Sequence, residues 1–279
     1  PRATRAQPPS LPLIRPEGLR QLSPHASIIP DNSIPLVPNV GFVVGGERML
    51  VIDTGLGPRN GGVVADVAQR LGGQRAPFLV TTHVHPEHDL GASAFPASTQ
   101  LIRSTDQLAD ISEFGLSLAK IFAARSPEIA ALLQGAEFRA ADITFERDHT
   151  LDLGGVRATI FALGANHTRG DTAVWVMPDR VLFAGDVAMQ AQPSFASPYS
   201  SLRHWLASLD RLAALGPAVV VPSHGPVGDA EFIAGYRTYL IEVQDRTAAA
   251  KRGGSSLDQA IASVTAAMVG RYPDRGRLA

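Results

Sequence analysis

Short apolar runs alternate along this chain with glycine-bounded turns and stretches of helical spacing. Gly41-Phe42-Val43-Val44 and Met49-Leu50-Val51-Ile52 predict adjacent strands around a Gly45-Gly46 hairpin turn, the second ending in Asp53-Thr54-Gly55. Val63 to Leu71 has helical spacing closed by Gly72-Gly73, and Phe78-Leu79-Val80 reads as a short buried strand. Residues 105–136 are helical in composition, with Phe114, Leu116, Leu118, Ile121 and Phe122 as apolar candidates, and predict an insertion covering part of the structure. Strands resume at Ala158-Thr159-Ile160-Phe161, Thr172-Ala173-Val174-Trp175-Val176 and Arg180-Val181-Leu182-Phe183. A helix over about 201–215, a strand at Ala218-Val219-Val220-Val221 and closing helices near 230–250 and 256–269 complete the pattern. Residues 1–34, rich in proline and arginine, show neither period and read as an arm or edge strand, which leaves 35–279 as one domain.

Strands alternating with helices predict a layered α/β fold. Several of these strands stop and present a histidine or carboxylate. His83, His85, Glu87 and His88 crowd into Thr82-His83-Val84-His85-Pro86-Glu87-His88-Asp89 after one strand. His167 stands in Asn166-His167-Thr168, Asp186 follows Ala184-Gly185, and His224 lies in Ser223-His224-Gly225. Strand ends place side chains accurately beneath open space, so residues distant in sequence can converge in one pocket.

Five of the eight histidines belong to this set. Three imidazoles and a carboxylate within six positions compete with one another unless a cation organises them. The set therefore points to two divalent metal ions beside each other and beside water. Two cations about 3.5–4 Å apart generate hydroxide from water at neutral pH and polarise the oxygen under attack. No side-chain nucleophile is required, and the chain reads as a metal-dependent hydrolase. His25, His149 and His204 stand alone and read as ordinary surface or core residues.

Composition narrows the partners. With 45 % hydrophobic residues, 18 % charged residues and a net charge of -1, the 279-residue chain lacks the basic excess of a nucleic-acid binder. No apolar run approaches the roughly 18 residues that a membrane span needs. Cysteine is absent, so disulfides and thiolate ligands are excluded and any metal must be held by nitrogen and oxygen. The start at Pro1 without an initiator Met, together with the lack of cysteine, leads to the expectation of an exported protein, periplasmic or secreted.

The run His-x-His-x-Glu-His-Asp, with Asn166-His167-Thr168, Gly185-Asp186, Ser223-His224-Gly225 and Ile52-Asp53-Thr54-Gly55, resembles the metallo-β-lactamase superfamily over residues 35 to 228. The resemblance implies an αβ/βα four-layer sandwich with a dinuclear site at one edge. It also implies that His83, His85 and His167 hold one metal, that Glu87, His88 and His224 hold the other, and that Asp186 bridges them. Two zinc ions are the implied cofactors, with Glu87 and Asp186 as the catalytic carboxylates, and Asp53, Asp89, Asp171 and Thr82 are expected to orient the imidazoles. Phe195 and Tyr199, with Trp205 nearby, are expected to line a pocket for a small-molecule substrate. One position departs: Glu87 stands where the family usually has Asp, longer by about 1.5 Å. His-Pro-Glu-His is most similar to the zinc metallohydrolases associated with bacterial quinoprotein systems.

The implied reaction is attack by metal-bound hydroxide on an ester, lactone, thioester or amide carbonyl, with weak opening of a strained β-lactam by the same route. Two other classes share the ligand set. An iron-dependent oxidoreductase is one, because flavodiiron proteins and persulfide dioxygenases use this fold and imidazole with carboxylate discriminates poorly between zinc and iron. A non-catalytic periplasmic metal-binding or relay protein is the other, should Glu87 spoil the second site.

Overall fold

Side chains alternate across each strand of this protein, so every sheet has two faces to cover. The computed structural model describes residues 11–189 and 196–273. In chain order the elements are β1 (Arg20–Gln21), β2 (Ala26–Ile29), β3 (Val40–Val44), β4 (Met49–Ile52), α1 (Gly57–Gly72), β5 (Pro77–Val80), α2 (Pro86–Asp89), β6 (Gln100–Ser104), α3 (Thr105–Asp110), α4 (Leu116–Ala123) and α5 (Pro127–Leu132). There follow β7 (Ile143–Phe145), β8 (His149–Asp152), β9 (Arg157–Gly164), β10 (Asp171–Met177), β11 (Val181–Gly185), α6 (Leu202–Ala214), β12 (Val219–Pro222), α7 (Ala230–Arg252) and α8 (Leu257–Arg271). Strands β1 to β7 form one sheet in sequence order, and the second runs β12-β11-β10-β9-β8.

The two sheets pack face to face. Ile28, Val43, Leu50, Ile52, Val80 and Ile102 from the first meet Ile160, Val174, Val176, Phe183 and Val221 from the second, all buried. The alternate positions point outward under helices. Phe42, Val51, Leu79 and Leu101 lie against Val64, Val67 and Ala68 of α1. On the other side Ala173, Trp175, Leu182 and Val220 lie against Trp205, Leu209 and Leu212 of α6 and Ile233, Tyr236 and Leu240 of α7. Helix, sheet, sheet and helix give the expected αβ/βα sandwich. Among the described residues no helix is long and apolar enough to cross a membrane.

Three strands lie where the apolar pattern predicts none. β6 carries Arg103, fully buried, in its middle, while β7 and β8 are short edge segments with exposed alternate positions. β2 pairs along β3 with Ala26 opposite Val43, inside the segment read as an arm or edge strand. α1 begins at Gly57, ahead of the expected start at Val63, because the glycines there hide its periodicity. Gly61 has a packing reason: a Cβ would sit 2.0 Å from the carbonyl oxygen of Gly91, so only glycine lets α1 approach the chain leaving the histidine run.

Over 105–136 the helices α3, α4 and α5 form, joined by a π-helical turn at Ile111–Gly115. Of the five apolar candidates only Phe122 is buried, while Leu116 is 78 % and Ile121 57 % exposed. A single layer of short helices has one supporting face, so the others stay open.

Asp179, in the turn between β10 and β11, ties the two sheets together at the end away from Asp186. Its carboxylate accepts from Ser23 Oγ, from the His25 backbone N–H at 2.8 Å and from His25 Nδ1 at 2.8 Å. Burial pushes this carboxyl up, but the bonds from Ser23 and His25 win and hold it below 3.8. Its stabilising contribution is therefore complete above that range and lost as pH falls through the lowered value. Asp179→Asn is expected to cost about 1–3 kcal/mol at pH 7 in urea unfolding. The gap from the parent protein should narrow below pH 3.8, and a gap that widened instead would show that this carboxylate is not the stabilising form.

Candidate metal centre

Parallel strands deliver the site. β4 and β5 lie side by side, as do β11 and β12, and their C-terminal ends release Asp53, the Thr82–Asp89 run, Asp186 and Ser223-His224 at one edge of the sandwich. His167 enters from the loop between β9 and β10. Pro86 opens α2 at its first turn, with His85 as the residue before it, so His85, Glu87 and His88 fan around one tight corner. Gly185 takes φ +59, and a Cβ on it would press on Thr172 O at 3.1 Å and Thr82 Cβ at 3.2 Å. Only glycine turns the chain there to present Asp186.

The side chains converge in three overlapping groups: His83 with His85 and His167, His83 with His88 and Asp186, and Glu87 with His88 and His224. Within each group one potential ligand atom per residue lies within 4.8 Å of the others. Asp186 Oδ2 is 3.5 Å from His167 Nε2 and its Oδ1 is 4.0 Å from His88 Nε2. His85 Nδ1 lies 3.1 Å from His167 Nε2. The longer Glu87 side chain still places an oxygen in the group with His88 and His224, so the extra methylene does not remove it from the cluster.

The hydrogen bonds around the rings fix which nitrogen faces inward. Asp53 accepts from His88 Nδ1 at 2.9 Å, from the Thr82 backbone N–H at 2.7 Å and from Thr82 Oγ1 at 3.0 Å. Since that hydroxyl spends its proton on Asp53, its oxygen accepts from His83 Nδ1, 3.1 Å away. His224 Nδ1 donates to the Val37 carbonyl at 3.0 Å. All three rings therefore turn Nε2 toward the centre. His83 Nε2, His88 Nε2, Glu87 Oε2 and Asp186 Oδ1 are buried with no hydrogen-bond partner. Acceptors left bare at this density cost about 1–3 kcal/mol each, so the arrangement fits cations and little else. Asp53 itself sits at φ +65, a left-handed conformation that places strain beside the site.

Burial, then the neighbouring imidazoles, holds His83 well below 6.5, and burial followed by His167 does the same for His85. Both are neutral ligands at pH 7. Burial would lower His88 too, but the Asp53 carboxylate lifts it to about 9, so a cation binding there displaces a proton from this ring. Burial alone would raise Asp186, and the imidazoles facing it, His224 foremost, draw it down to about 2. Burial raises Asp171 to about 6 against its bonds to the His167 loop.

The supporting residues divide by what they touch. Asp53 and Thr82 meet imidazole nitrogens directly, whereas Asp171 accepts from the backbone N–H groups of His167 and Thr168 and so fixes the loop instead of the ring. Asp89, expected to face an imidazole, instead gives both oxygens to Arg103 and accepts from Thr81 Oγ1 at 2.9 Å. This pair is fully buried beneath the histidine run. Tyr199 does not line the cavity: its hydroxyl donates to Glu113 at 2.6 Å and Arg169 stacks 3.7 Å over its ring. Trp205 is core, its indole N–H bonded to Val187 O at 2.7 Å. Phe195 lies outside the described residues.

A cavity of about 710 Å³ opens above the cluster, within the size range of small-molecule sites. His85, Glu87, His167, Asp186 and His224 line its floor, and Leu36, Phe122, Met189, Tyr239, Val264 and Met268 form much of its wall. Sequence reasoning misses these wall residues, because apolar side chains on α7 and α8 give the same periodic signal whether they face a core or a cleft.

The sequence profile of the Metallo-beta-lactamase superfamily matches residues 34–224. The chain belongs to this superfamily. Among curated relatives it is similar to the acyl-coenzyme A thioesterase MBLAC2 of Bos taurus, 28 % identical over 189 residues, covering 63 % of this chain and 67 % of that protein. The Homo sapiens counterpart is 26 % identical over 189 residues. Solved structures of the same fold include a metallo-beta-lactamase from Pontibacter korlensis, with TM-score 0.63 and 22 % identity, covering 80 % of this chain and 98 % of that one. The sec-alkylsulfatase Pisa1 from Pseudomonas sp. gives TM-score 0.70 at 14 % identity, covering 88 % of this chain and 45 % of that one. This member of the metallo-beta-lactamase superfamily is a hydrolase.

Arg103 is expected to be the most sensitive residue outside the ligands. Arg103→Met leaves Asp89 charged and unpaired in the interior, and should cost about 3–5 kcal/mol in denaturant unfolding. Adding Asp89→Leu should recover part of that loss; a single variant within 1 kcal/mol of the parent, a threshold set well under that range, would show the pair to be dispensable.

Proposed function

We propose that this chain is a dinuclear zinc hydrolase that cleaves acyl bonds, thioesters first among them. The observation that carries the reading is the set of overlapping ligand groups that share His83 and His88, with buried Nε2 and carboxylate oxygens left without partners. His83, His85 and His167 would hold one zinc, Glu87, His88 and His224 the other, and Asp186 would serve both. Zinc bound there supplies a water acidified to a pKa of about 7 and a Lewis acid for the acyl oxygen.

The protein's own groups do the rest. Asp53, Thr82 and the Val37 carbonyl hold three rings in one tautomer, so the ligands do not reorganise during turnover. Phe122, Met189 and Leu36 keep bulk water from the walls of the cavity. Asp186, held near 2, stays anionic and cannot act as an acid at neutral pH. The imidazoles are committed as ligands. A site without a ready proton donor suits a leaving group that departs as an anion. Thiols ionise near pH 8.5, so a thiolate leaves largely unaided, whereas the amine released from an amide must be protonated. The similarity to acyl-coenzyme A thioesterases supports the same choice.

Metal analysis of the purified protein should give two zinc ions per chain, and removal by a chelator should abolish thioester hydrolysis until zinc is restored. Iron in their place, with oxygen uptake during turnover, would overturn the reading in favour of oxidation. His83→Ala and His88→Ala should each lose activity. Asp53→Asn should keep the fold by circular dichroism and weaken metal binding by about 10–100-fold, because the carboxylate partner of His88 is gone. Unchanged affinity in that variant would remove Asp53 from the site.

A further inference from the structure

The cavity wall is lopsided in a way the hydrolytic centre does not require. Leu118, Ile121 and Phe122 of α4 stand on one part of it, and Val243 of α7 with Val264 and Met268 of α8 on another. Ile121 is 57 % exposed, an apolar side chain turned to water at the lip of the cavity. Among all the described lining residues there is one permanent cation, Arg125, just past the end of α4.

Its setting separates it from an ordinary surface arginine. Two other arginines are held by carboxylates: Arg103 by Asp89, Arg169 by Asp110 and Glu113. Arg125 has no carboxylate within ion-pairing distance among the described residues, and its guanidinium lies 3.9 Å over the ring of Phe122. That ring is in turn 6.1 Å from the His85 ring. A guanidinium stacked on an aromatic face loses little entropy when it binds and keeps its N–H edge for an anion. The lining carboxylates cannot serve as that anion's substitute. Asp31 is occupied by the backbone N–H groups of Ser33 and Gly225, and Glu87 and Asp186 point into the ligand cluster.

We propose that the substrate is an anionic amphiphile, its acyl chain lying along Ile121, Phe122, Val264 and Met268 and an anionic group on its leaving half paired with Arg125. This rests on the acyl-hydrolase reading of the same site and assigns its specificity. The exposed Ile121 and the apolar faces of α4 and α8 are covered when the chain is bound, which removes apolar surface from water. Arg125 then acts as a specificity-determining residue that touches the substrate away from the scissile bond.

The test compares decanoyl thioesters of three thiols on the zinc-loaded protein: N-acetylcysteamine, which is neutral, 3-mercaptopropionate, with one carboxylate, and coenzyme A, with phosphates. kcat/KM should be about ten-fold higher for one or both anionic thioesters than for the neutral one, and which of them gains identifies carboxylate or phosphate as the anion. In Arg125→Ala that ratio should collapse toward one, with the loss in KM, while Arg125→Lys should retain most of it. Ile121→Asp, at an exposed position, should lower kcat/KM for decanoyl about ten-fold relative to acetyl thioesters. Equal ratios in the parent and Arg125→Ala, or no preference for decanoyl over acetyl, would overturn the inference. The matching non-cleavable S-decyl thioethers, measured by calorimetry, separate it from the reading beneath it. Thioethers that keep an Arg125-dependent ratio while no thioester turns over would sink the hydrolase reading and leave the specificity assignment standing. Turnover without any Arg125-dependent ratio would do the reverse.

Discussion

Everything in this protein is arranged around one costly concentration: five imidazoles and two carboxylates forced into a buried corner with their lone pairs converging. Left to itself such a corner would swell or recruit protons. The fold prevents the first by taking each ligand from a strand end or a tight turn, where the backbone is fixed by sheet hydrogen bonds on one side and helix packing on the other. Asp53, Thr82 and the Val37 carbonyl fix the outer nitrogens of three rings, which leaves the inner ones facing the centre for a cation that displaces any proton. Inward-facing nitrogens make the polypeptide a cage whose missing element is positive charge.

The support extends one layer deeper than the rings. Asp89 belongs to the same run as the histidines, yet it turns away from them to Arg103 on β6, and Gln107 on α3 bonds Thr81 from the same side. The histidine run is thus clamped from above by its shared centre and from below by a buried ion pair. Burying that pair is expensive, and its removal from one side only would leave a naked charge under the ligands. A rigid floor of this kind keeps the ligand spacing constant when the cavity above is filled or empty.

Much of this is legible in the sequence, and several of the parts that are not share a cause. Strands β3, β4, β10 and β11 are strongly apolar on both faces, so periodicity finds them, and the ligands stand out because histidine is scarce elsewhere. β6 is hidden by Arg103, whose burial depends on a partner fourteen residues away in sequence. Proximity to His88 groups Asp89 with the ring-orienting residues, but it says nothing of the direction a side chain takes on a one-turn helix. Nearness to Asp186 in the sequence points Tyr199 toward the cavity, but Glu113 and Arg169 hold it outside. These three misses turn on long-range partners, which a linear pattern does not carry.

The same separation runs through function. The superfamily match ends at residue 224, at the last of the clustered histidines. Tyr239, Val243, Val264, Thr265 and Met268, which close one side of the cavity, all lie beyond it on α7 and α8. Another part of the wall holds Phe122 and Arg125, in a helical insertion where Leu116 and Ile121 stay exposed. The shared sandwich thus carries the ligand cluster, and the helices on either side of the cavity carry the residues to which we assign selectivity. Neither wall touches Asp53, Thr82 or Arg103, so membership of the superfamily specifies a hydrolase without specifying its substrate.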